Sequence, residues 1–323
     1  MRAIQINEAG GPEVLSITEV DTPSPGPDEV VIDVAAAGVN FIDTYHRGGL
    51  YPVDYPFTPG VECAGVVSAL GEGVTDFAVG DRVANIGTMG TYAESIALPA
   101  NHCVVVPDKV ELVTAAAAML QAKTAHYLVV DTYPLRPGDT CLIHAGAGGT
   151  GNLAIQLAKQ AGATVFTTVG TAEKAEIAAG AGADHVINYS EKDFAEEIRS
   201  LSGADRPLDV VYDGVGASVF DESMSLLRKR GLMATFGNAS GAVPPVAPLD
   251  LMAAGSVFLT RPTLFDYSET REELVARADQ IFAHIANGTL KIRIGKTFSL
   301  DEAGAAHEYL ESRQSTGKLL IEP

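Results

Sequence analysis

The chain has 323 residues, a formal charge of −19 and three cysteines, and its composition is 46% hydrophobic and 20% charged. These are globular values, which exclude a disordered chain, and the length predicts about two domains. The acidic balance disfavours nonspecific nucleic-acid binding, because phosphates require cations. The three cysteines, Cys63, Cys103 and Cys141, form no Cys-x-x-Cys motif, and an odd number cannot all pair within the chain. A reducing compartment is therefore expected.

The chain contains no segment typical of a secretory signal or a membrane span. Its first residues, MRAIQINEAGG, lack the apolar core of a signal peptide. The uncharged run Thr140–Ala158 is long enough for a membrane helix, but four glycines and several polar residues interrupt it. We therefore expect a soluble, cytoplasmic protein without membrane contact.

Residues 1–121 have the pattern of a β-rich domain. Val30–Ala35 alternates apolar and polar side chains, and Val61–Ala69 and Cys103–Val106 are short apolar runs bounded by turn residues. Gly- and Pro-rich turn signals recur between these runs. The pattern predicts a barrel or sandwich of short strands.

From Leu112 onward the pattern becomes helical and then alternates. Val113–Val130 is Ala-rich and predicts a helix with a polar break at Gln121–Thr124. The alternation that follows predicts a parallel sheet covered on both faces. Its predicted strands are Cys141–Ala145, Thr164–Val169, His185–Asn188, Asp209–Asp213, Leu232–Gly237 and Val257–Thr260. Its predicted helices are Thr150–Ala161, Glu173–Gly180, Phe194–Leu201 and Phe220–Leu227, and the tail adds helices at Arg271–Asn287 and Asp301–Ser312 and strands at Arg293–Phe298 and Lys318–Ile321.

A glycine-rich motif lies between the first strand and the first helix of this alternation. Gly146, Gly148 and Gly151 form G-x-G-x-x-G, which in this context is the fingerprint of a dinucleotide site. The glycines allow a tight turn and a close approach of the backbone to pyrophosphate, and the helix N-terminus attracts the phosphates. The competing interpretation is a glycine-rich turn without a ligand.

The end of the second strand indicates which dinucleotide binds. NAD sites usually carry Asp or Glu there, but this strand ends in Thr167–Thr171 without a carboxylate. Lys174 offers a cation and Tyr189 a hydroxyl to a 2′-phosphate, so NADPH is favoured over NADH. The alternative is that Lys174 is an ordinary solvated lysine. The seven histidines form no cluster with cysteines, and we expect no metal site.

Longer motifs reveal a family resemblance. The segment Ala36–Gly65, AAGVNFIDTYHRGGLYPVDYPFTPGVECAG, resembles the medium-chain dehydrogenase/reductase superfamily. The phosphate loop, GTAEK, INY, VYDGVG and RKRGLMATFGNASG resemble the zinc-free quinone oxidoreductases, the relatives of zeta-crystallin, and the resemblance extends to the ending LESRQSTGKLLIEP. Zinc-dependent alcohol dehydrogenases of the superfamily carry Cys at the position of Asn40 and Gly-His-Glu at Gly60–Glu62.

The resemblance implies an α/β fold, in which a Rossmann doubly wound parallel sheet accompanies a GroES-like β-rich domain. It implies a GroES-like domain at residues 1–121, a Rossmann NADPH-binding domain at 122–262, and a C-terminal segment at 263–323 that returns to the first domain.

By motif position the resemblance also implies site residues. The catalytic candidates are Asn40, Tyr45 and Tyr51. The cofactor-binding candidates are Thr124, Gly146, Gly148, Gly149, Thr150, Gly151, Gly170, Thr171, Lys174, Tyr189, Phe236, Gly237, Asn238, Ser240, Arg261, Arg313 and Lys318. For the two tyrosines, ordinary packing in a loop rich in Gly and Pro is the competing interpretation.

The activity implied by the resemblance is hydride transfer from NADPH to a small-molecule quinone without a metal, with solvent as the proton source. The nearest alternative is reduction of 2-enals or enones by the same hydride. A zeta-crystallin-like RNA-binding protein is a further alternative, which the charge of −19 disfavours. The apolar strand Val257–Thr260, expected at a sheet edge, predicts a homodimer.

Overall fold

The computed structural model describes all 323 residues and divides them into two units. The first unit comprises residues 1–123 and 268–323, and the second comprises residues 124–267. The sequence placed these boundaries at residues 121 and 262. The chain therefore leaves the first unit once and returns to it for its last segment.

The two units contain fifteen strands and ten α-helices, numbered here in chain order. The strands are β1 (Arg2–Gln5), β2 (Ser16–Glu19), β3 (Glu29–Val39), β4 (Glu62–Leu70), β5 (Arg82–Ile86), β6 (Ser95–Pro99), β7 (Cys103–Val105), β8 (Thr140–Ile143), β9 (Thr164–Val169), β10 (His185–Asn188), β11 (Leu208–Asp213), β12 (Leu227–Thr235), β13 (Phe258–Thr260), β14 (Ile294–Ser299) and β15 (Lys318–Glu322). The helices are α1 (Phe41–Arg47), α2 (Leu112–Ala118), α3 (Gln121–Tyr127), α4 (Gly149–Gln160), α5 (Ala172–Gly180), α6 (Phe194–Ser202), α7 (Phe220–Leu226), α8 (Pro248–Ala253), α9 (Arg271–Ala286) and α10 (Ala303–Glu311).

The first unit is built on a seven-stranded sheet. Its order is β14-β15-β3-β4-β5-β7, and β6 pairs with β3. The sheet is mainly antiparallel, and apolar side chains from β3, β4, β5 and β15 form its core together with the buried face of α10. Helix α1 follows β3 directly, and Asp43 Oδ2 accepts from the amide of its N-cap residue Asn40, which satisfies one donor at the start of the helix.

The second unit is a six-stranded sheet in the order β10-β9-β8-β11-β12-β13, with every neighbouring pair parallel. The strands are rich in β-branched residues and are buried, as parallel strands covered by helices should be. The strand order reverses between β8 and β11. In doubly wound sheets ligands bind at this reversal, at the carboxyl ends of the strands.

The predicted polar break at Gln121–Thr124 is wrong. Those residues belong to helix α3, and the interruption lies at Met119 and Leu120. The amide of Leu120 donates to a buried carboxylate of the sheet, Glu62 Oε2, at 2.6 Å. That long-range bond turns the chain between α2 and α3, which the local pattern does not reveal. No helix combines the length and the apolar character that a membrane crossing needs.

Candidate active site

The phosphate loop lies at the reversal point of the second-unit sheet. After β8 the chain adopts a positive φ of 56° at Ala145, and the amide of Gly148 donates to the carbonyl of Ala145 at 2.9 Å. Helix α4 begins at Gly149 with Gly148 as its N-cap. The first amides of a helix have no intrahelical acceptor, and the helix dipole is positive there. Gly149, Thr150 and Gly151 therefore present N–H groups suited to an anion.

Two of the three motif glycines are required by close packing. A Cβ on Gly151 would collide with the carbonyl oxygen of Ala145, and a Cβ on Gly146 would collide with the Thr167 hydroxyl on β9. A Cβ on Gly148 would lie 3.2 Å from the same Ala145 oxygen, which is a tight contact. These positions match the roles that the fingerprint assigns to its glycines, a tight turn and helix packing against a strand.

His144, immediately before the loop, fixes its starting point. The ring is buried, with Nδ1 at 2.8 Å from the Thr168 hydroxyl and Nε2 at 2.8 Å from the Ser223 hydroxyl. Ser223 donates its own hydrogen to the Val219 carbonyl, so Nε2 of His144 is the donor to Ser223 and Nδ1 accepts from Thr168. Burial lowers the pKa of His144 to about 3, so the ring is neutral at physiological pH.

The candidates for a 2′-phosphate are gathered at the end of β9. The Tyr189 hydroxyl lies 2.6 Å from the position a Cβ on Gly170 would take, so the ring covers that glycine. Thr171 caps helix α5 by accepting from the amide of Lys174 at 3.2 Å. Lys174 is half-buried, and burial lowers its pKa against the opposing influence of Glu173. No carboxylate occurs from residue 168 to residue 172.

The segments after β11 and β12 pack on each other at the same edge. Asp213 is buried, and its Oδ1 accepts from the amides of Val215 at 2.7 Å and Gly216 at 3.0 Å. The Phe236 amide donates to the Asp213 carbonyl at 2.7 Å, and Ser240 donates to the Val215 carbonyl through its amide. The predicted residues Phe236, Gly237, Asn238 and Ser240 thus follow the carboxyl end of β12 and pack against the segment that follows β11. Arg261, after β13, donates to the Thr235 carbonyl at 3.0 Å.

Asn40, in the first unit, has both of its amide hydrogens engaged. Nδ2 donates to the Gly38 carbonyl at 3.2 Å and to Glu62 Oε1 at 2.6 Å, and Oδ1 accepts from the Lys318 ammonium at 2.6 Å. Lys318 also forms a buried ion pair with Glu62. Lys318 is therefore held in a buried ion pair, and its expected role in cofactor binding stays a prediction; Asn40 has no free donor for a substrate.

Tyr45 and Tyr51 form an aromatic cluster with His46. The tyrosine rings meet edge-to-face at 5.4 Å between centroids, and the His46 ring lies 5.9 Å from that of Tyr51. The Tyr51 amide donates to the Tyr45 carbonyl at 3.2 Å, which joins the loop to helix α1. All three side chains are half-buried, and burial lowers the pKa of His46.

The remaining predicted residues are Thr124 and Arg313. Thr124 is buried in helix α3 and is the first residue of the second unit. Arg313 is exposed just after α10 of the first unit, with a positive φ of 60°. The candidate site residues are thus divided between the two units. Those in the first unit are Asn40, Tyr45, Tyr51, Arg313 and Lys318.

Sequence reasoning missed the polar side chains buried around Asn40. Asp43 and Arg47 share one face of α1 with Asn40, at spacings of three and four residues, and this pattern is visible in the sequence. Tyr92 and His307 complete the group from distant parts of the chain, and no local signal indicates them.

Two family models match the chain. The model for the alcohol dehydrogenase GroES-like domain matches residues 26–108, and the model for zinc-binding dehydrogenases matches residues 149–280. A quinone oxidoreductase of Pseudomonas aeruginosa is 43% identical over 100% of this chain and 99% of its own length. The chain belongs to the quinone oxidoreductase family of the medium-chain dehydrogenase/reductase superfamily.

Further comparisons define its place in that family. A 2-haloacrylate reductase of a Burkholderia species is 42% identical over 99% of this chain and 98% of its own length. The crystal structure of Escherichia coli quinone oxidoreductase complexed with NADPH superposes with a TM-score of 0.97 at 41% identity, over 100% of both chains. The fold predicted from the resemblance, a Rossmann unit with a GroES-like unit, is confirmed.

The residues available for metal binding differ from those of the zinc-dependent members. No group of three or more His, Cys, Asp or Glu side chains is placed to hold a metal ion. The resemblance implies that Asn40 and Val61 stand where zinc-dependent dehydrogenases carry Cys and His. The aliphatic side chain of Val61 offers no ligand atom.

Proposed function

We propose that this chain is an NADPH-dependent quinone reductase that transfers hydride without a metal. The observation that carries the proposal is full-length similarity to proteins named quinone oxidoreductases, at 41–43% identity over at least 99% of this chain. The second unit supplies the dinucleotide site that such a reaction needs.

The second unit fits NADPH. The N-terminus of α4 offers the pyrophosphate the amides of Gly149 and Thr150, which have no acceptor within the helix, and the backbone of Gly148 lies beside them as the N-cap. The end of β9 carries no carboxylate that would repel a 2′-phosphate. Lys174 offers a cation there, and Tyr189 offers a hydroxyl. The solved E. coli relative is complexed with NADPH. When bound, NADPH supplies the hydride.

The chain itself would orient the acceptor and stabilise the charge that develops on its oxygen. Preorganised hydrogen-bond donors are effective for that purpose. We assign this role to the hydroxyls of Tyr45 and Tyr51, whose rings form a half-buried apolar wall with polar ends. Asn40, with both amide hydrogens already donated, would hold the start of α1 rather than contact the acceptor.

The second candidate function is reduction of an activated alkene. It is favoured by the 2-haloacrylate reductase, which matches this chain as well as the quinone oxidoreductases do. RNA binding is a third and weaker candidate, because a chain with a charge of −19 repels phosphates.

We also propose a cytoplasmic homodimer. The location is supported by three buried free thiols, which suit a reducing compartment.

The acceptor is tested by steady-state rates with NADPH on ortho- and para-quinones, 2-enals and 2-haloacrylate. We expect the highest kcat/KM with a quinone. Saturated aldehydes are the matched control, because they offer a carbonyl without conjugation, and they should react poorly. A kcat/KM for an alkene more than about tenfold above every quinone, or ~1.4 kcal/mol in transition-state binding, would make alkene reduction the function.

A further inference from the structure

A run of hydrogen-bonded side chains, the Asp43 network, passes through the interior of the first unit. It consists of the side chains of Arg47, His307, Tyr92 and Asp43 and ends at the backbone amide of Asn40, and all five residues are buried. Arg47 lies 3.0 Å from Nδ1 of His307. Nε2 of His307 lies 3.2 Å from the Tyr92 hydroxyl, which in turn donates to Asp43 Oδ2 at 3.0 Å.

The direction of every hydrogen bond in the network follows from chemistry. Arg47 can only donate, so Nδ1 of His307 must accept. A neutral imidazole then carries its hydrogen on Nε2 and donates it to the oxygen of Tyr92. The hydroxyl hydrogen of Tyr92 is left for Asp43. Burial and the charge of Arg47 lower the pKa of His307 to about 3, which keeps the ring in the neutral form that this order requires.

The network joins three separate parts of the chain. His307 lies on α10, Tyr92 lies in the segment before β6, and Asp43 and Arg47 lie on α1. Arg47 is also bound to the Gly10 carbonyl at 3.1 Å and to Glu311 of α10 at 2.8 Å. Helix α1, only seven residues long, is therefore held at both ends by buried polar contacts.

Asp43 connects the network to the candidate acceptor residues. Its Oδ2 accepts from the backbone amide of Asn40 at 2.8 Å, which sets the first turn of α1. Tyr45 lies two residues further along the same helix, and its carbonyl accepts a hydrogen bond from the amide of Tyr51. Displacement of α1 would therefore move both tyrosines.

We infer that Tyr92 and His307 are positioning residues for the acceptor, because they hold α1 and thereby the Tyr45–Tyr51 cluster in place. This inference rests on the proposed function, in which these tyrosines bind the acceptor. Neither Tyr92 nor His307 needs to touch the acceptor, and both lie in the first unit, whereas the phosphate loop lies in the second.

Acceptor binding should then depend on the ionisation of Asp43. Burial raises the pKa of Asp43 to about 7, while the Asn40 amide, Lys318 and the Tyr92 hydroxyl lower it and Glu62 raises it. Below that pH the carboxyl is neutral and accepts more weakly from Asn40 and Tyr92. The KM for the acceptor should therefore rise as the pH falls below about 7.

The test is Tyr92→Phe, which keeps the ring packed edge-to-face on His307 at 5.8 Å and deletes only the hydroxyl. With 1,4-benzoquinone at saturating NADPH, we expect the KM for the quinone to rise about 3- to 10-fold, with the KM for NADPH unchanged. Because a donor to the charged carboxylate is lost, the pKa of Asp43 should rise. The acid limb of the kcat/KM profile should therefore shift to higher pH by about one unit.

Two further variants distinguish positioning from general destabilisation. Tyr212→Phe is the matched control, because it deletes the hydroxyl of another fully buried tyrosine, bound at 3.2 Å to the Tyr133 carbonyl in the second unit. Tyr212→Phe should leave the pH profile of kcat/KM unchanged. His307→Gln, which can accept from Arg47 and donate to Tyr92 without titrating, should retain a KM within about twofold of wild type, whereas His307→Leu should raise it.

An unshifted pH profile and an unchanged quinone KM in folded Tyr92→Phe would overturn the inference. So would equal losses in Tyr92→Phe and Tyr212→Phe. If the wild-type protein reduces no quinone, the proposed function fails in the wild-type assay itself. The same comparison is then made with 2-haloacrylate or whichever acceptor it reduces, and an unmoved profile there overturns the positioning role.

Discussion

Lys123 is a fully buried amine at the start of α3. Its side chain is 0% exposed, and Nζ has no hydrogen-bond partner. Burial, with a smaller contribution from the charge of Arg277, lowers its pKa to about 7. The unfolded chain has the ordinary lysine pKa and so binds the proton more tightly. Between pH 7 and about 10, stability therefore increases with pH, and the amine is most destabilising at and below pH 7.

We accordingly expect Lys123→Met to stabilise the protein. Replacing a buried polar group without a partner by an apolar side chain of similar length should raise the free energy of unfolding at pH 7 by about 1–3 kcal/mol. The gain should shrink as the pH approaches 10. Urea unfolding of both proteins at pH 6, 7 and 9 measures it. The exposed Lys109→Met is the control, and an equal effect of the two variants would contradict the assignment.

Lys174 carries the prediction for cofactor choice. We expect Lys174→Glu to weaken NADPH binding by about 1.5–3 kcal/mol, the scale of a hydrogen bond to a charged group, with much less effect on NADH. Dissociation constants for both cofactors measure the difference. Lys229→Glu is the control, because it makes the same charge change on an exposed residue near the start of β12, at the amino ends of the parallel strands and away from the phosphate loop at their carboxyl ends. Equal losses for NADPH and NADH would show that Lys174 does not contact the 2′-phosphate.

At the scale of elements, most strands and helices of the second unit could be predicted from local patterns, whereas α8 was not predicted and β12 begins five residues before its predicted start. Strands β9 and β10 have the predicted bounds, because short β-branched runs there are bounded by Gly, Ala and Asp. Helix α4 was found within one residue at each end, since the phosphate loop marks its start. These signals lie within the segments that they describe.

Helix α1 shows why the rest could not be predicted. Its buried residues are Asp43, Thr44 and Arg47, so its inward face is polar and has no apolar periodicity to detect. The face is stabilised by partners far along the chain, at Tyr92 and His307. The phosphate loop could be recognised because its function resides in one contiguous motif. The network around Asn40 depends on the tertiary fold.

At the scale of the whole molecule, the second-unit sheet ends in an exposed apolar edge. Strand β13 pairs with β12 on one side, and its Phe258 is 62% exposed. Two more apolar side chains on the adjoining helix α8 are exposed, Leu249 at 69% and Met252 at 63%. An uncovered edge of this kind favours pairing with another strand, and the commonest result is a twofold dimer. We therefore expect two copies to join through β13.

Light scattering tests that expectation at micromolar concentration. The wild-type protein should have twice the chain mass of 33.7 kDa. Phe258→Lys places a charge on the edge strand, and it should shift the population towards the monomer because a buried unpaired ammonium is unfavourable at an interface. Val79→Lys is the matched control, since Val79 is 64% exposed in the first unit, and it should leave the mass unchanged. A wild-type mass near 33.7 kDa would refute the dimer, and a dimeric Phe258→Lys protein would place the interface elsewhere.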